Sequence, residues 1–153
     1  MSNKPLGKVV SIEVSAIAHA TESIEAVEKS IRNILPLEIY DSLKFTRRYL
    51  KGHHGNPITT LNLNIKGKDE TKFVLGTLFQ LMDKTEKDKL IFEFENFLDD
   101  KENLYIRLDK QEAFKGKVIL TNKDPIRIKI KTEVWHSTPQ KVMEIFNRLG
   151  MSE

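Results

Sequence analysis

Five stretches of this chain alternate between apolar and polar side chains, and that period of two constrains the fold more than any other feature. Val10, Ile12, Val14, Ala16 and Ala18 are interrupted by Ser11, Glu13 and Ser15. Leu43, Phe45, Arg47 and Tyr49 alternate with Lys44, Thr46 and Arg48, and Thr59, Leu61, Leu63 and Ile65 with Thr60, Asn62 and Asn64. Leu104, Ile106 and Leu108 alternate with Tyr105 and Arg107, and Ile126, Ile128 and Ile130 with Arg127, Lys129 and Lys131. Successive side chains on a strand point to opposite faces, so each stretch predicts a strand with one buried and one solvated face. On the last of them the solvated face is strongly positive. The second and third read as an antiparallel pair. Their connection, Lys51-Gly52-His53-His54-Gly55-Asn56-Pro57, carries two glycines and a proline and predicts an ordered loop of seven or so residues.

Between these strands the period lengthens. Ile24, Val27, Ile31 and Ile34 mark a helical face, with Thr21 placed as its cap and Pro36 as its end. A helix is expected from about Lys68 to Met82. Another opens at Thr85, where Thr85 and Asp88 approximate a capping box and Leu90, Ile91, Phe94, Phe97 and Leu98 form the apolar side. Asp109 is placed to cap a single turn over Lys110–Phe114, and Val118–Leu120 reads as a short strand joined to the last by the polar turn Thr121–Asp124. A terminal helix at about 139–149 has Thr138 as cap, Pro139 in its first turn and Gly150 as its stop. The predicted order is βαββααβββα, which assigns the chain to the α+β class, with a mostly antiparallel sheet backed by helices.

At 153 residues and 39% hydrophobic content, the chain is expected to form one domain over residues 1–153 without disulfide or metal support. No apolar run approaches the length of a membrane span, and Met1–Lys8 lacks the hydrophobic stretch of a signal peptide. A cytoplasmic protein with no membrane partner is therefore expected. Cysteine is absent, which excludes a disulfide framework, thiol catalysis and thiolate-held metals. The net charge of +3 is too small to imply a polyanionic partner by itself. Its distribution says more: nine Lys/Arg face six Asp/Glu over residues 1–66, nine face twelve over 67–116, and seven face four beyond.

His53 and His54 are adjacent in a loop, and His19 and His136 lie at element ends. A closed metal site needs three or four ligands, and adjacent loop histidines rarely chelate one ion alone, so neither a metal nor another cofactor is expected. Asp109 and Glu112 have the spacing of an acid–base pair, but Asp109 is better placed as a cap. No phosphate-binding glycine loop, nucleophile elbow or zinc-helix motif occurs, and no catalytic residue is assigned. The basic residues make the stronger case. Lys44, Arg47, Arg48 and Lys51 lead into the Gly52–Pro57 loop, Arg107 and Lys110 end the fourth strand, and Arg127, Lys129 and Lys131 line the last. Converging faces would form a phosphate-binding surface, with His53, His54 and Asn56 able to stack on or hydrogen-bond to unpaired bases. The competing explanation is that lysines on an open face keep a sheet soluble and its edges unpaired.

Three stretches carry a resemblance: Val14-Ser15-Ala16-Ile17-Ala18-His19-Ala20-Thr21-Glu22, Gly52-His53-His54-Gly55-Asn56-Pro57-Ile58, and Asn103-Leu104-Tyr105-Ile106-Arg107-Leu108-Asp109-Lys110-Gln111-Glu112-Ala113-Phe114. With their spacing they resemble an archaeal family of small proteins labelled as RNA-binding or predicted exosome subunits. The match runs from about Val9 to Lys131 and leaves residues 132–153 as a C-terminal extension. The resemblance implies a fold similar to that of the ribosomal protein that binds the small ribosomal RNA of the large subunit, and a role connected with RNA. Gly52–Pro57 and Arg107–Gln111 match the family's patterns. The resulting expectation is a non-enzymatic RNA-binding protein associated with RNA-processing or ribosomal assemblies. Arg47, Arg48, Lys51, Arg107, Lys110, Lys129 and Lys131 would contact phosphates, His53, His54 and Asn56 bases or ribose, and Gln111 would also bind the RNA. The alternative from another class is a protein-interaction subunit whose sheet or C-terminal helix joins a partner or a second copy in a homodimer. A small hydrolase or metal-dependent enzyme would require a cleft gathering Asp109, Glu112 and histidines.

Overall fold

The computed structural model describes residues 7–152, and of His53 the backbone alone. Five strands, β1 (Gly7–Ala18), β2 (Thr46–Lys51), β3 (Pro57–Lys66), β4 (Leu104–Leu108) and β5 (Ile126–Val134), form one sheet in the order β2-β3-β1-β5-β4. Every neighbouring pair is antiparallel. Helices α1 (Ile24–Arg32), α2 (Lys68–Leu81), α3 (Lys84–Phe92), α4 (Lys110–Phe114) and α5 (Pro139–Arg148) complete the α+β fold.

The alternation decides which face they cover. Ile12, Val14, Ala16 and Ala18 of β1, Leu61, Leu63 and Ile65 of β3, Leu104, Ile106 and Leu108 of β4 and Ile126, Ile128 and Ile130 of β5 are all buried, and all lie on one side. Val27 and Ile31 of α1, Val74, Leu75, Leu78 and Phe79 of α2, and Val142 and Phe146 of α5 pack against them. The Phe146 ring meets Phe79 edge-on at 6.4 Å and Phe94 at 5.9 Å between centroids. The terminal helix therefore closes the core. Its Thr138 hydroxyl accepts from Lys141 N at 3.2 Å, and Gly150 beyond it takes φ +114. Among the described residues no helix is long and apolar enough to cross a membrane.

Three local expectations change. Val118–Leu120 is not a strand of the sheet. It makes a single bridge, Leu108↔Leu120, because the buried Glu86 side chain takes the Leu120 N–H at 3.0 Å, and β5 pairs with β1 and β4 instead. The observed order is thus βαββααβαβα. Ser23, not Thr21, caps α1 by accepting from Ala26 N, and Asp83, not Thr85, caps α3 by accepting from Glu86 N. In both cases a good capping side chain lay two residues from the expected one, and the start of the packed face selected between them. β2 and β3 stay paired to Lys51 and Pro57, so the loop between them shortens to residues 52–56.

Candidate nucleic-acid interface

Side chains opposite the core on β1, β3, β4 and β5 lie on the face away from α1, α2 and α5, and Arg107 at its β4 edge borders a hollow with Lys89 of α3 and Glu93 just after it. Strand registers place them in rows. Thr46, Asn62, Ser15, Arg127 and Arg107 form one row across all five strands; Asn64, Glu13, Lys129 and Tyr105 form the next; Lys66, Ser11 and Lys131 the one beyond. On the other side of the first row Arg48 pairs with Thr60, which pairs with Ile17. Arg48, Arg107, Arg127, Lys129 and Lys131 therefore share one open face that spans about 20 Å from β2 to β4, at the usual strand spacing. None of these five makes an ion pair among the described residues. A trough of about 490 Å³ crosses it, with Arg48 and Arg127 on its walls and Ser15, Thr60, Asn62 and Asn122 offering hydrogen-bonding groups.

Tyr105 supplies an aromatic ring to this face. The Arg107 guanidinium lies 5.6 Å and the Lys129 ammonium 5.9 Å from its centroid. Asp99, before β4, accepts from Lys101 N and Asn103 N at 2.9 Å and from Asn103 Nδ2 at 3.0 Å. Burial pushes the Asp99 carboxyl up, but hydrogen bonds from Asn103, from the Lys101 backbone and from Tyr105 outweigh it and hold it below the usual carboxylate range. The expected set did not include Tyr105, and Arg127 was counted among the basic residues of the last strand without being assigned a contact. The alternation of β4 and β5 already placed both on the solvated side, and that was the signal available for finding them.

Several expected contacts are drawn elsewhere. Neighbours on a strand face opposite ways, so Arg47 and Lys51 lie with Tyr49 on the helix side of β2, away from Arg48. Arg47 Nε donates to Glu28 Oε1 on α1 at 2.9 Å, and this bond, with a smaller contribution from Tyr49, raises its pKa further above the ordinary arginine value. Lys110 is 8% exposed. Its Nζ donates to the Ile17 carbonyl at 2.8 Å and to Glu22 Oε1 at 2.9 Å, and reaches Asp124 Oδ2 at 2.7 Å, while His19 Nε2 contacts Asp124 Oδ1 at 3.0 Å. Its charge is spent inside the protein. Lys110, expected to contact phosphate, is placed as a cation that ties β1, the segment before α1 and the segment before β5 together. Gln111 is exposed on the helix side, in a hollow with Ser23, Ala26 and Phe114.

The 52–56 loop lies at the sheet corner, beyond the β2–β3 pairs. Gly52 N donates to Asn56 O at 2.6 Å and Gly55 N to Gly52 O at 3.1 Å, so backbone groups close the loop. His54 and Gly55 take φ +64 and +78. Gly52 is needed for space instead, since a Cβ there would stand 2.9 Å from Ile58 Cγ2. Asn56 and His54 are exposed; the His53 side chain lies outside the described residues.

His19, Glu22 and Asp124 bring potential ligand atoms within 4.8 Å of one another. Lys110 Nζ already sits against both carboxylates, so an ammonium takes the place a metal would need. Burial pushes the Asp124 carboxyl up, but hydrogen bonds from Lys110 and His19 prevail and keep it below the usual range.

The sequence profile described as RNA binding matches residues 11–132. RNA-binding protein PAB1135 of Pyrococcus abyssi is 29% identical over 136 residues, 88% of each chain. Protein MJ0213 of Methanocaldococcus jannaschii is 32% identical over 148 residues, 92% of this chain and 97% of that one. Among solved structures, protein AF2318 from Archaeoglobus fulgidus superposes with a TM-score of 0.80 at 31% identity, covering 93% of this chain and 99% of that one. On the match to residues 11–132 and these relatives, the chain belongs to the RNA-binding family.

Proposed function

We propose that the protein binds RNA, without catalysis, on the open face of its sheet. The observation that carries this reading is that Arg127 and Lys129 lie on the part of β5 that has β1 on one side and β4 on the other, with Lys131 one step beyond the end of β4 on the same face. Protection of a free sheet edge accounts for cations on free edges and does not account for the two, Arg127 and Lys129, that are flanked by strands on both sides. A row of unpaired cations beside Tyr105, with polar groups in the trough, is what phosphate contacts and base contacts require together. Family membership supports the same ligand.

The test is to reverse Arg127 and Lys129 to Glu and compare the variant with Arg47→Glu by fluorescence anisotropy on labelled RNA. The double reversal is expected to weaken binding at least tenfold with little change in melting temperature, because exposed charges add little to stability. Arg47→Glu should leave affinity nearly intact. Equal losses in both variants would refute the assignment to the open face. The resemblance to predicted exosome subunits and to a ribosomal protein supports placing this RNA in processing or ribosomal assemblies. Recovery of a ribosomal or exosome component with the tagged protein, abolished by RNase, tests that finer reading.

A further inference from the structure

RNA is proposed to bind the open face of the sheet. What that face binds follows from a residue that the sequence match does not reach. Trp135, beyond the matched residues 11–132, is 80% exposed. It follows directly on β5, where Val134 packs against the core and Glu133 is exposed on the side of Lys129 and Lys131, so it extends the open-face column by one step. Burial does not explain this indole, and its setting is built. Lys141 Nζ donates to the carbonyl oxygens of Trp135 at 3.2 Å and His136 at 2.9 Å, and His136 adopts φ +49. Ser137 Oγ donates to Glu102 at 2.8 Å, tying the turn to the segment before β4. The His136 ring braces the indole edge-on, 4.0 Å between centroids. The turn thus holds a large flat ring out into solvent.

Tyr105 pairs with Lys129, six residues before Trp135 in the chain. At strand rise that is about 20 Å, with Lys129 beside the first ring and Lys131 and Glu133 between the two. Aromatic stations separated by a cationic track are the means by which proteins hold unpaired nucleotides, whose bases have free faces to stack. A duplex presents its bases already stacked on each other and offers these rings nothing but backbone.

Resting on the assignment of RNA to this face, we propose that its ligand is single-stranded RNA running along β5, with unpaired bases stacked on Tyr105 and Trp135. The chain's single tryptophan is the reporter. Its emission is followed during titration with an eight-nucleotide single strand and with a blunt duplex of equal phosphate count, and affinities are measured in parallel by anisotropy. The expected results are quenching with the single strand alone, tighter binding of the single strand, and a loss of about 5- to 100-fold in its affinity on Trp135→Ala. The melting temperature of that variant should match the parent's. Binding of both RNAs with equal affinity, or binding of the single strand with unchanged emission, overturns the single-strand inference and leaves RNA binding intact. A concentration-dependent emission shift without RNA would show that a second copy covers Trp135, and also overturns it. Failure to bind either RNA at low salt removes the open-face assignment itself.

Discussion

Replacing Lys110 with methionine keeps most of the volume of the side chain and removes its charge. The ammonium is 8% exposed and touches the Ile17 carbonyl, Glu22 and Asp124, so its loss leaves two carboxylates and a carbonyl turned toward an apolar thioether. Removing one partner of a fully buried pair costs about 3–5 kcal/mol. Here the Glu22 and Asp124 side chains are 33% and 46% exposed, and water screens part of the repulsion left behind. That discount places the expected loss at about 2–3 kcal/mol. In a chain of this length it lowers the melting temperature by roughly 4–12 °C. Urea unfolding followed by far-ultraviolet circular dichroism measures it directly, and Lys110→Met combined with Asp124→Asn should recover part of the loss because one stranded charge is gone. RNA affinity of the folded Lys110→Met protein should equal the parent's. A variant that melts with the parent but binds RNA several-fold more weakly would show that Lys110 faces the ligand, and the structural role given to it would be refuted.

Three further outcomes follow from the same geometry. If Arg48, Arg107, Arg127, Lys129 and Lys131 each neutralise a phosphate of a single strand, the log of the RNA association constant should fall against log salt with a slope of about −3 to −4, and a flat response in anisotropy titrations would contradict that contact set. Gly55 has φ +78 with nothing within 4 Å of an added Cβ, so Gly55→Val should cost about 1–2 kcal/mol in urea unfolding through backbone strain alone, whereas an unchanged midpoint would mean the loop relaxes freely. Asp124 has a folded pKa below its unfolded value near ~3.9, so its contribution is complete above that pH and is lost as pH falls through the lower folded value. Melting temperatures taken from pH 6 to 2 should therefore decline less steeply at the acid end in Asp124→Asn than in the parent.

How much of this was legible depends on how far apart in sequence the deciding groups lie. Asp109 as cap of α4, with its carboxylate accepting from Glu112 N at 2.9 Å, and Thr138, Pro139 and Gly150 around α5 are local arrangements, and local sequence specified them. The same holds for the two faces of β5. Even the separation of Arg47 from Arg48 was implied, since adjacent strand residues cannot share a face. Val118–Leu120 misled because three apolar-flanked residues are too short for a period to discriminate, and because the group that claims its N–H, Glu86, lies 34 residues earlier.

By itself, then, the sequence determined five strands, the helices, the caps of α4 and α5 and the division of β1, β3, β4 and β5 into an apolar and a polar side, because each of these rests on interactions within a few residues. Tertiary structure decided the rest. It set the strand order that makes β5 interior and brings Arg48, Arg127 and Arg107 onto one surface. It also divided cations of equal sequence character between two fates: Lys129 remains open beside Tyr105, while Lys110 is drawn inside by Glu22, 88 residues away. A lysine is a ligand contact or an internal strut according to which carboxylates the folded chain brings to it, and the spacing of charges along the sequence holds no record of that.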